Sequence, residues 1–372
     1  MKISKIALYS YKFQYRAGDY TFRPKPVEDR VNDSTVVVLE TDAGLFGVGE
    51  TCPLRPTYLP STPESARAGL SILAKALVGV DAVGPRAIYR AMDDTLNGFP
   101  EAKSAIDVAA WDLLGKAANL PCYALFGGKQ NDGVPVFETI GPEEPEEMVA
   151  NLEAMRRRGT KVFQLSMGRG FEEDVHRLRS LIKCIAPGER VTIDANRRCT
   201  GEQAIRVVNG ILDLTHGKDI WIEQPCKTYA ESRYVRSRIG LPMLLDEVIN
   251  DSEDLLSAVY ERSLDGVVTK LSHVGGPSRV LDLIAIAASG GVKVRIEDTS
   301  GSAIARAASA HLASVIPRDG IFATYAFPES DFKLGVEGGI LSDGILRPTG
   351  RAGLGVELDM TALGEPLAVY SA

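Results

Sequence analysis

From about Val134 onward, the chain repeats one pattern: a short apolar strand, then a longer stretch with helical character, in cycles of roughly 25–30 residues. Eight such βα units favour a closed (β/α)8 barrel with a parallel sheet inside. A doubly wound open sheet is the competing fold, but it usually carries a glycine-rich phosphate turn after its first strand, and this sequence has none there. The candidate strands are Val134–Thr139, Lys161–Ser166, Arg190–Asp194, Ile220–Glu223, Met243–Asp246, Gly266–Lys270, Val292–Glu297 and Ile321–Tyr325.

The segment ahead of the barrel, residues 1–124, predicts a separate α+β domain. Alternating apolar and polar residues indicate strands, and the turn Thr41-Asp42-Ala43-Gly44 joins two of them into a hairpin. The barrel is expected to span residues 125–328, and a glycine-rich tail, residues 329–372, is expected to pack back on the first domain. The elements predicted in the first domain are the strands Ile3–Tyr9, Ser34–Glu40 and Leu45–Glu50 and the helices Thr62–Val78 and Ala102–Ala118.

The composition of the chain narrows the classes of partner that the protein is expected to bind. The chain carries 42 Lys and Arg against 49 Asp and Glu, a net charge of −7, and an acidic chain repels phosphate backbones and anionic lipid. We therefore expect neither nucleic acid nor a membrane as a partner. The 5 cysteines are widely spread, and the N-terminus lacks the apolar centre of a signal peptide. Reduced thiols and a cytoplasmic location are expected.

Three carboxylates end three successive barrel strands: Asp194 the third, Glu223 the fourth and Asp246 the fifth. Catalytic groups of such barrels lie at the carboxyl ends of the strands, so these side chains are expected at one height around the mouth. Ionised together they repel one another, and all-oxygen ligands suit a hard divalent cation. The sequence thus predicts a Mg²⁺ site, with Mn²⁺ as a possible substitute. Each acid alone is equally a helix cap, but three in succession favour the metal.

The sixth and seventh strands end in a lysine and two more acids. Lys270 follows an apolar run, where an unpaired ammonium is costly, and a nearby metal is expected to lower its pKa and make it a general base. The alternative is a lysine that extends to solvent at the rim. Glu297 and Asp298 either accept an ammonium group, hydrogen-bond Lys270, or cap the next helix. Together the groups predict removal of the proton α to a metal-held carboxylate, with an enediolate stabilised by the cation.

These motifs resemble the enolase superfamily, in its muconate lactonizing enzyme and mandelate racemase branch, over nearly the whole chain. The resemblance implies an α/β fold with a modified (β/α)8 barrel and an N-terminal α+β capping domain, Mg²⁺ on the three carboxylates, and a homo-oligomer, either a dimer or an octamer. The matching segments are Ala105–Lys116 before the barrel, Asp194-Ala195-Asn196, Glu223-Gln224-Pro225, Asp246-Glu247, and Lys270 with Gly275-Gly276.

One departure from the family pattern lies at the end of the second barrel strand. The lactonizing branch carries Lys-x-Lys there, and its second lysine acts as an acid or base, whereas this chain reads Gln164-Leu165-Ser166. Ser166 therefore stands where the lysine is usual, which leaves Lys270 as the strong base. This change disfavours a racemisation that needs a base on both faces. It favours a β-elimination in which Ser166 relays a proton or binds the substrate.

The resemblance also reaches relatives that act on proline derivatives, the cis-3-hydroxy-L-proline dehydratases and the proline-betaine epimerases. It implies dehydration of a hydroxyproline-like small molecule, with Asp298, and Glu297 second, as the ligand of the ring nitrogen. Loops near Tyr15–Tyr20 and Glu50–Pro53 are expected to reach over the site. The other residues expected at the substrate are Gln164, Asn196, Glu247, Tyr20 and Thr51.

Three alternatives stay open. The first is a dipeptide or amino-acid epimerase or racemase, or a cycloisomerase, on the same scaffold. The second is a catalytically impaired paralogue that binds a carboxylate, because Ser166 replaces the usual lysine. The third is a plain structural barrel, which predicts no divalent cation at all.

Overall fold

The structure, a computed structural model, describes residues 1–14, 31–54, 56–326, 334–336 and 338–371. The predicted loop Tyr15–Tyr20, with Tyr20, and the predicted boundary between residues 328 and 329 lie outside the described residues. In the described part of the chain, no helix combines the length and the apolar character that crossing a membrane requires.

The N-terminal part folds into an antiparallel sheet covered by helices. Strands β1 (Ile3–Phe13), β2 (Asn32–Thr41) and β3 (Phe46–Thr51) lie side by side, as the hairpin pattern predicts. Helix α1 begins after Thr62, whose side chain and that of Ser65 form a reciprocal capping box. The helices of this part are α1 (Pro63–Leu77), α2 (Pro85–Thr95), α3 (Pro100–Ala118) and the short α4 (Cys122–Leu125).

Helix α2 was not predicted from the sequence. It begins with Pro85 and buries only a narrow set of side chains, among them Ile88, Tyr89 and Met92. The buried residues Pro85, Ile88, Tyr89 and Met92 follow the i, i+3, i+4, i+7 spacing of a helix over two turns, so the sequence does carry a signal for α2.

Strand β3 touches helix α3 almost backbone to backbone. A Cβ added to Gly47 would lie 2.0 Å from the carbonyl oxygen of Ala109, and one added to Gly49 would lie 1.9 Å from that of Ala105. Only glycine on the strand, facing alanine on the helix, permits this approach. The contact fixes the end of β3, and with it Glu50 and Thr51, relative to the rest of the domain.

We expect the substitution Gly49→Ala to destabilise the protein by on the order of 2–3 kcal/mol, because the added methyl group forces strand and helix apart. Urea unfolding followed by circular dichroism measures this loss. Gly240→Ala is the matched control, because a Cβ there meets no heavy atom within 4 Å. Equal stabilities of the two variants would show that the β3–α3 contact is not tight.

The central part is the predicted barrel. Eight parallel strands follow one another in chain order, and a bridge between Val136 and Thr324 links the last strand back to the first. The strand bounds agree with the prediction to within a residue or two, apart from the first, where the predicted Val134–Thr139 divides into β4 (Val134–Pro135) and β5. The barrel strands are β5 (Phe137–Ile140), β6 (Val162–Ser166), β7 (Arg190–Asp194), β8 (Asp219–Glu223), β9 (Met243–Leu245), β10 (Gly266–Lys270), β11 (Lys293–Glu297) and β12 (Ile321–Thr324).

Helices connect the strands on the outside of the barrel. These are α5 (Pro145–Arg157), α6 (Phe171–Cys184), α7 (Gly201–Ile211), α8 (Tyr229–Arg236), α9 (Ser252–Tyr260), α10 (Leu271–Val274), α11 (Pro277–Gly290) and α12 (Ala303–Ser314). The tail adds β13 (Gly335–Val336), β14 (Gly339–Ser342), β15 (Ile345–Pro348), β16 (Glu357–Leu358), α13 (Met360–Leu363) and β17 (Ala368–Ser371). Strand β17 pairs with β1 of the N-terminal sheet, whereas β15 pairs with β4 beside the barrel.

Large apolar side chains fill the lumen below the strand ends. Trp221 and Phe322 meet edge to face, with ring centroids 5.0 Å apart. Because side chains alternate along a strand, the residues two positions beyond Trp221 and Val268 also face the lumen. Those residues are Glu223 and Lys270, so the apolar plug places charged groups at the carboxyl ends of the strands.

Glu50, at the end of β3, joins the N-terminal domain to the barrel. Its carboxylate is buried and accepts hydrogen bonds from the Ser302 backbone (3.1 and 3.0 Å), the Ser302 hydroxyl (2.7 Å) and the Ala305 backbone (3.3 Å). These donors form the first turn of α12, where a carboxylate stabilises the helix dipole. Burial raises the pKa of Glu50, although the hydrogen bonds from Ser34 and Ser302 oppose the effect.

Two buried acids of α3 extend this interface. Asp107 accepts from the backbone (2.7 Å) and hydroxyl (2.8 Å) of Ser278, at the start of α11, and burial raises its pKa to about 7. Asp112 accepts from the backbone of Val48 (2.9 Å) and of Leu354 (2.8 Å). Asp107 therefore joins the cap to barrel helix α11, whereas Asp112 joins α3 to strand β3 and to the C-terminal tail.

Candidate active site

Strand register brings the predicted acids together. Ser166, Asp194 and Glu223 are Cα partners across β6, β7 and β8. Asp246 follows directly after β9, and Lys270 pairs with Glu297 across β10 and β11. All these side chains are buried, and they surround one end of the lumen, as expected for a barrel whose strand ends carry the chemistry.

Asp194 is held from both sides. Its Oδ2 accepts from the Gln164 amide (2.7 Å), and its Oδ1 accepts from the Asn196 backbone (2.7 Å). Burial, followed by the charges of Glu223 and Glu247, raises the pKa of Asp194 well above its usual range. An additional positive charge nearby would relieve this cost. Asn196 therefore touches Asp194 through its backbone, and the loop after β7 shapes the site.

Glu223 faces a cation that the sequence analysis did not single out. Arg295 Nη1 lies 2.7 Å from Glu223 Oε2, and Arg295 Nη2 hydrogen-bonds Glu223 Oε1. Arg295 Nε lies 2.8 Å from Glu297 Oε2. Burial raises the pKa of Glu223, and the charge of Arg295 opposes this shift. Arg295 stands two residues before Glu297, so strand alternation could have placed it in the lumen.

Lys270 donates to both oxygens of Asp246, and its Nζ lies 3.0 Å from Glu297 Oε1. Of the roles open to Glu297, the structure shows contact with Lys270, and both carboxylate oxygens of Glu297 lie in ion pairs. The expectation of a lowered lysine pKa is not met here. Burial does lower the pKa of Lys270, but the charges of Asp246 and Glu297 outweigh it and raise the pKa. A cation on Asp246 would remove part of that effect.

Several polar atoms at the site are buried without a hydrogen bond. They belong to predicted site residues: the Ser166 and Thr51 hydroxyls, the Gln164 carbonyl oxygen and both carboxylate oxygens of Glu247. Glu247 Oε1 does lie 3.6 Å from Arg197 Nε. Buried oxygens without a hydrogen-bond donor are energetically costly. A metal ion, which accepts oxygen lone pairs, or a ligand that donates hydrogen bonds would satisfy them.

The charges of the site indicate a divalent cation. Among the described residues of this network, the five carboxylates of Asp194, Glu223, Asp246, Glu247 and Glu297 interact with the three cations Lys270, Arg295 and Arg197. If all five carboxylates are ionised, they exceed the three cations by two negative charges, which one Mg²⁺ or Mn²⁺ would balance, and the oxygen donors suit such an ion. The raised pKa values of Asp194 and Glu223 reflect the cost of that ionisation when no such charge is near.

The three predicted ligands are not grouped in ligand geometry. Over the described ranges, no three Asp, Glu, His or Cys side chains lie together as a metal cluster. Glu223 faces Arg295, and Asp246 faces Lys270. The assignment of Asp194, Glu223 and Asp246 as ligands therefore stays a prediction, which charge and donor type support.

Tyr58 completes the site from the cap, and sequence reasoning missed it. Its hydroxyl donates to Asp246 Oδ2 (3.3 Å), and its ring centroid lies 5.6 Å from Lys270 Nζ. Arg197 donates to the backbone carbonyl of Tyr58 and so ties the loop to the barrel. A single tyrosine in an irregular loop carries no periodic signal, so only the fold reveals this position.

Asp298 is anchored to Ser272, two residues after Lys270 in the chain. Its Oδ1 accepts from the Ser272 backbone (3.1 Å), the Ser272 hydroxyl and the Thr299 backbone (2.8 Å). Thr299 donates in turn to the carbonyl of Cys52 (3.0 Å), in the predicted covering loop. Burial raises the pKa of Asp298 to about 7. The structure thus places Asp298 where cap and barrel meet, and its role toward a substrate nitrogen stays a prediction.

Acids and a lysine at the carboxyl ends of barrel strands, under an N-terminal cap, define a barrel enzyme built for proton transfer beside a divalent cation. Comparison with known families agrees. Residues 27–127 match the model of the mandelate racemase / muconate lactonizing enzyme N-terminal domain, and residues 147–362 match the enolase C-terminal domain-like model. The chain belongs to the enolase superfamily, in the mandelate racemase and muconate lactonizing enzyme branch, which confirms the resemblance of its motifs.

Individual relatives span the whole chain. A protein named cis-3-hydroxy-L-proline dehydratase, from Roseibium aggregatum, is 37% identical over 377 residues and covers 100% of both chains. A hydrophobic dipeptide epimerase from Enterococcus faecalis is 28% identical and covers 96% of this chain and 99% of its own. A mandelate racemase/muconate lactonizing enzyme structure from Roseovarius nubinhibens, complexed with magnesium, superposes with a TM-score of 0.92 at 33% identity, over 100% of both chains. The protein is therefore an enzyme of the lyase or isomerase type.

Proposed function

We propose that this enzyme dehydrates a hydroxyproline-like amino acid after removing the proton α to its carboxylate. The observation that carries the proposal is the asymmetry of the lumen. Lys270, on β10, faces Ser166, on β6, four strands away in a barrel of eight. Among the described residues, the ends of these two opposite strands thus carry an amine on one side and a hydroxyl on the other. The relative named cis-3-hydroxy-L-proline dehydratase supports the substrate class.

The proposed cation is Mg²⁺, with Mn²⁺ as a substitute, and Asp194, Glu223 and Asp246 would hold it. When bound, the cation supplies positive charge that offsets the negative charge developing on the substrate carboxylate. In its neutral form, Lys270 accepts the α-proton at Nζ, and Glu297, with Oε1 3.0 Å from Nζ, stabilises the ammonium that forms. The C–H electron pair becomes a carbon–carbon double bond as the bond to the β-hydroxyl breaks, and the leaving hydroxide takes a proton to become water.

The stereochemistry of the substrate ring indicates from which face the leaving hydroxide takes its proton. In the cis 3-hydroxy isomer, the hydroxyl lies on the face of the ring that carries the carboxylate, so the α-hydrogen is on the opposite face. A base that takes this hydrogen therefore works on one face while water leaves from the other. The position of Ser166 four strands from Lys270 and its hydroxyl without a hydrogen-bond partner support Ser166 as the group that would donate to the leaving hydroxyl.

We expect Ser166→Ala to slow dehydration of cis-3-hydroxy-L-proline by about 10²-fold while α-proton exchange persists. Mass spectrometry in D₂O measures both, as loss of water and as deuterium uptake. The control is Ser309→Ala, which removes another buried hydroxyl that has no hydrogen bond, from helix α12. Dehydration at the wild-type rate would show that Ser166 does not take part.

Placing a lysine at position 166, where the family usually has one, tests the argument that Lys270 is the one strong base. Ser166→Lys is expected to raise the share of inverted product relative to dehydration, because both faces then carry an amine. Optical rotation and mass together give the product ratio. An epimerase function would instead show inversion already in the wild-type protein, and a carboxylate-binding paralogue would show neither exchange nor dehydration.

A further inference from the structure

Arg295 is a fully buried arginine inside the barrel, and the proposed reaction gives it no role. Its side chain is 2% exposed and lies over the Phe137 ring, 4.4 Å from the centroid. The guanidinium forms a bidentate pair with Glu223, and its Nε faces Glu297 at 2.8 Å. A buried charge of this kind is kept only where it is well paired, because desolvation is costly.

The pair with Glu223 uses the oxygens that a divalent cation would need. A guanidinium fork engages both oxygens of a carboxylate at once and matches their geometry. Two positive groups that approach one carboxylate repel each other and compete for its charge. Arg295 therefore opposes cation binding at Glu223, while it keeps that carboxylate paired when no cation is present.

The contact of Arg295 with Glu297 connects Arg295 to Lys270, the proposed base. Glu297 lies between Arg295 and Lys270, with Oε2 toward Arg295 and Oε1 toward Lys270 at 3.0 Å. Without Arg295, the buried carboxylate would lose one of the two cations that face it. The approach of Nε to Oε2 is an ion pair without hydrogen-bond geometry, so the loss would be one of charge. Arg295 thus influences Lys270 indirectly, through Glu297, and takes no part in the proton transfer itself.

We propose that Arg295 is a positioning residue with two opposed effects: it competes with the divalent cation for Glu223, and it holds Glu297 against Lys270. Removing it should strengthen Mg²⁺ binding and at the same time slow proton removal. A general loss of structure would weaken both. The first effect concerns the metal-free protein and Mg²⁺ alone, whereas the second rests on the proposed function.

The test titrates Mg²⁺ into metal-free Arg295→Met by isothermal calorimetry. The Kd is expected to fall about tenfold relative to the wild-type protein, because one competing charge is gone. Deuterium uptake at the α-carbon of cis-3-hydroxy-L-proline is expected to slow by about tenfold or more. Arg190→Met is the matched control: Arg190 pairs with Asp219 (2.7 Å) and lies over the Phe322 ring (4.4 Å), but at the other end of the barrel strands. Its Mg²⁺ affinity should not change.

Arg295→Lys covers the case in which the methionine variant does not fold. A lysine keeps the charge but cannot engage Glu223 through a fork while also reaching Glu297. Its Kd for Mg²⁺ should fall by a smaller factor, and deuterium uptake should still slow. Mg²⁺ affinity equal to or weaker than that of the wild-type protein, in whichever of the two variants folds, would overturn the proposal. If wild-type protein binds Mg²⁺ but shows no deuterium uptake, the proposed function fails, while the calorimetry still tests Arg295.

Discussion

Replacing Lys270 with methionine is expected to lower deuterium uptake at the substrate α-carbon by about 10³-fold or more, because general-base catalysis contributes on the order of 10²–10⁴-fold and the lumen offers no other amine among the described residues. Proton NMR of cis-3-hydroxy-L-proline with Mg²⁺ in D₂O follows this rate. The variant should still bind Mg²⁺ in calorimetry, since the predicted ligands are untouched.

A suitable control for this experiment is Lys103→Met. Lys103 is also buried and ion-paired, with its Nζ 2.7 Å from Asp93 Oδ1, but it lies on α3 of the capping domain. If exchange in Lys270→Met continued at the wild-type rate, another group would have to be the base. If both variants lost exchange equally, the effect would be one of stability rather than of chemistry.

Removal of the divalent cation should have a comparably large effect. Dialysis against EDTA is expected to abolish exchange and dehydration together, because nothing then offsets the charge that develops on the substrate carboxylate. Added Mg²⁺ or Mn²⁺ should restore both activities. Asp194→Asn should weaken Mg²⁺ binding by about 10-fold or more in calorimetry, because one anionic ligand is lost.

The control for Asp194→Asn is Asp107→Asn, which neutralises an acid that is equally buried but lies at the interface between cap and barrel. Its Mg²⁺ affinity should equal that of the wild-type protein. An unchanged affinity in Asp194→Asn would remove Asp194 from the ligand set. Full activity after exhaustive removal of metal would contradict the whole proposed chemistry.

Much of the barrel follows from local patterns. The strands Arg190–Asp194 and Gly266–Lys270 appear with their predicted bounds, because each is an apolar run that ends in a charged residue. Since parallel strands run in one direction, the charged residues at their carboxyl ends lie next to one another at one edge of the sheet. The register of Ser166, Asp194 and Glu223 follows from this regularity.

The pairing of charges within the site could not be predicted in this way. Alternation places Arg295 in the lumen, but not the choice of Glu223 as its partner, since that strand lies three places away in the sheet. Tyr58 comes from another domain, and its contact with Asp246 depends on how the cap docks. Both are long-range features that the packing of the whole molecule decides.

The carboxylate of Glu50 has a consequence for engineering. It belongs to the cap, yet it completes the first turn of a barrel helix, and the loop just before that helix carries Asp298 and Thr299. A chimaera that exchanged the capping domain alone for that of a relative would therefore disturb a wall of the catalytic chamber. A transplanted capping domain would therefore have to bring Ser302 and its turn with it, because the acceptor and its donors come from two domains.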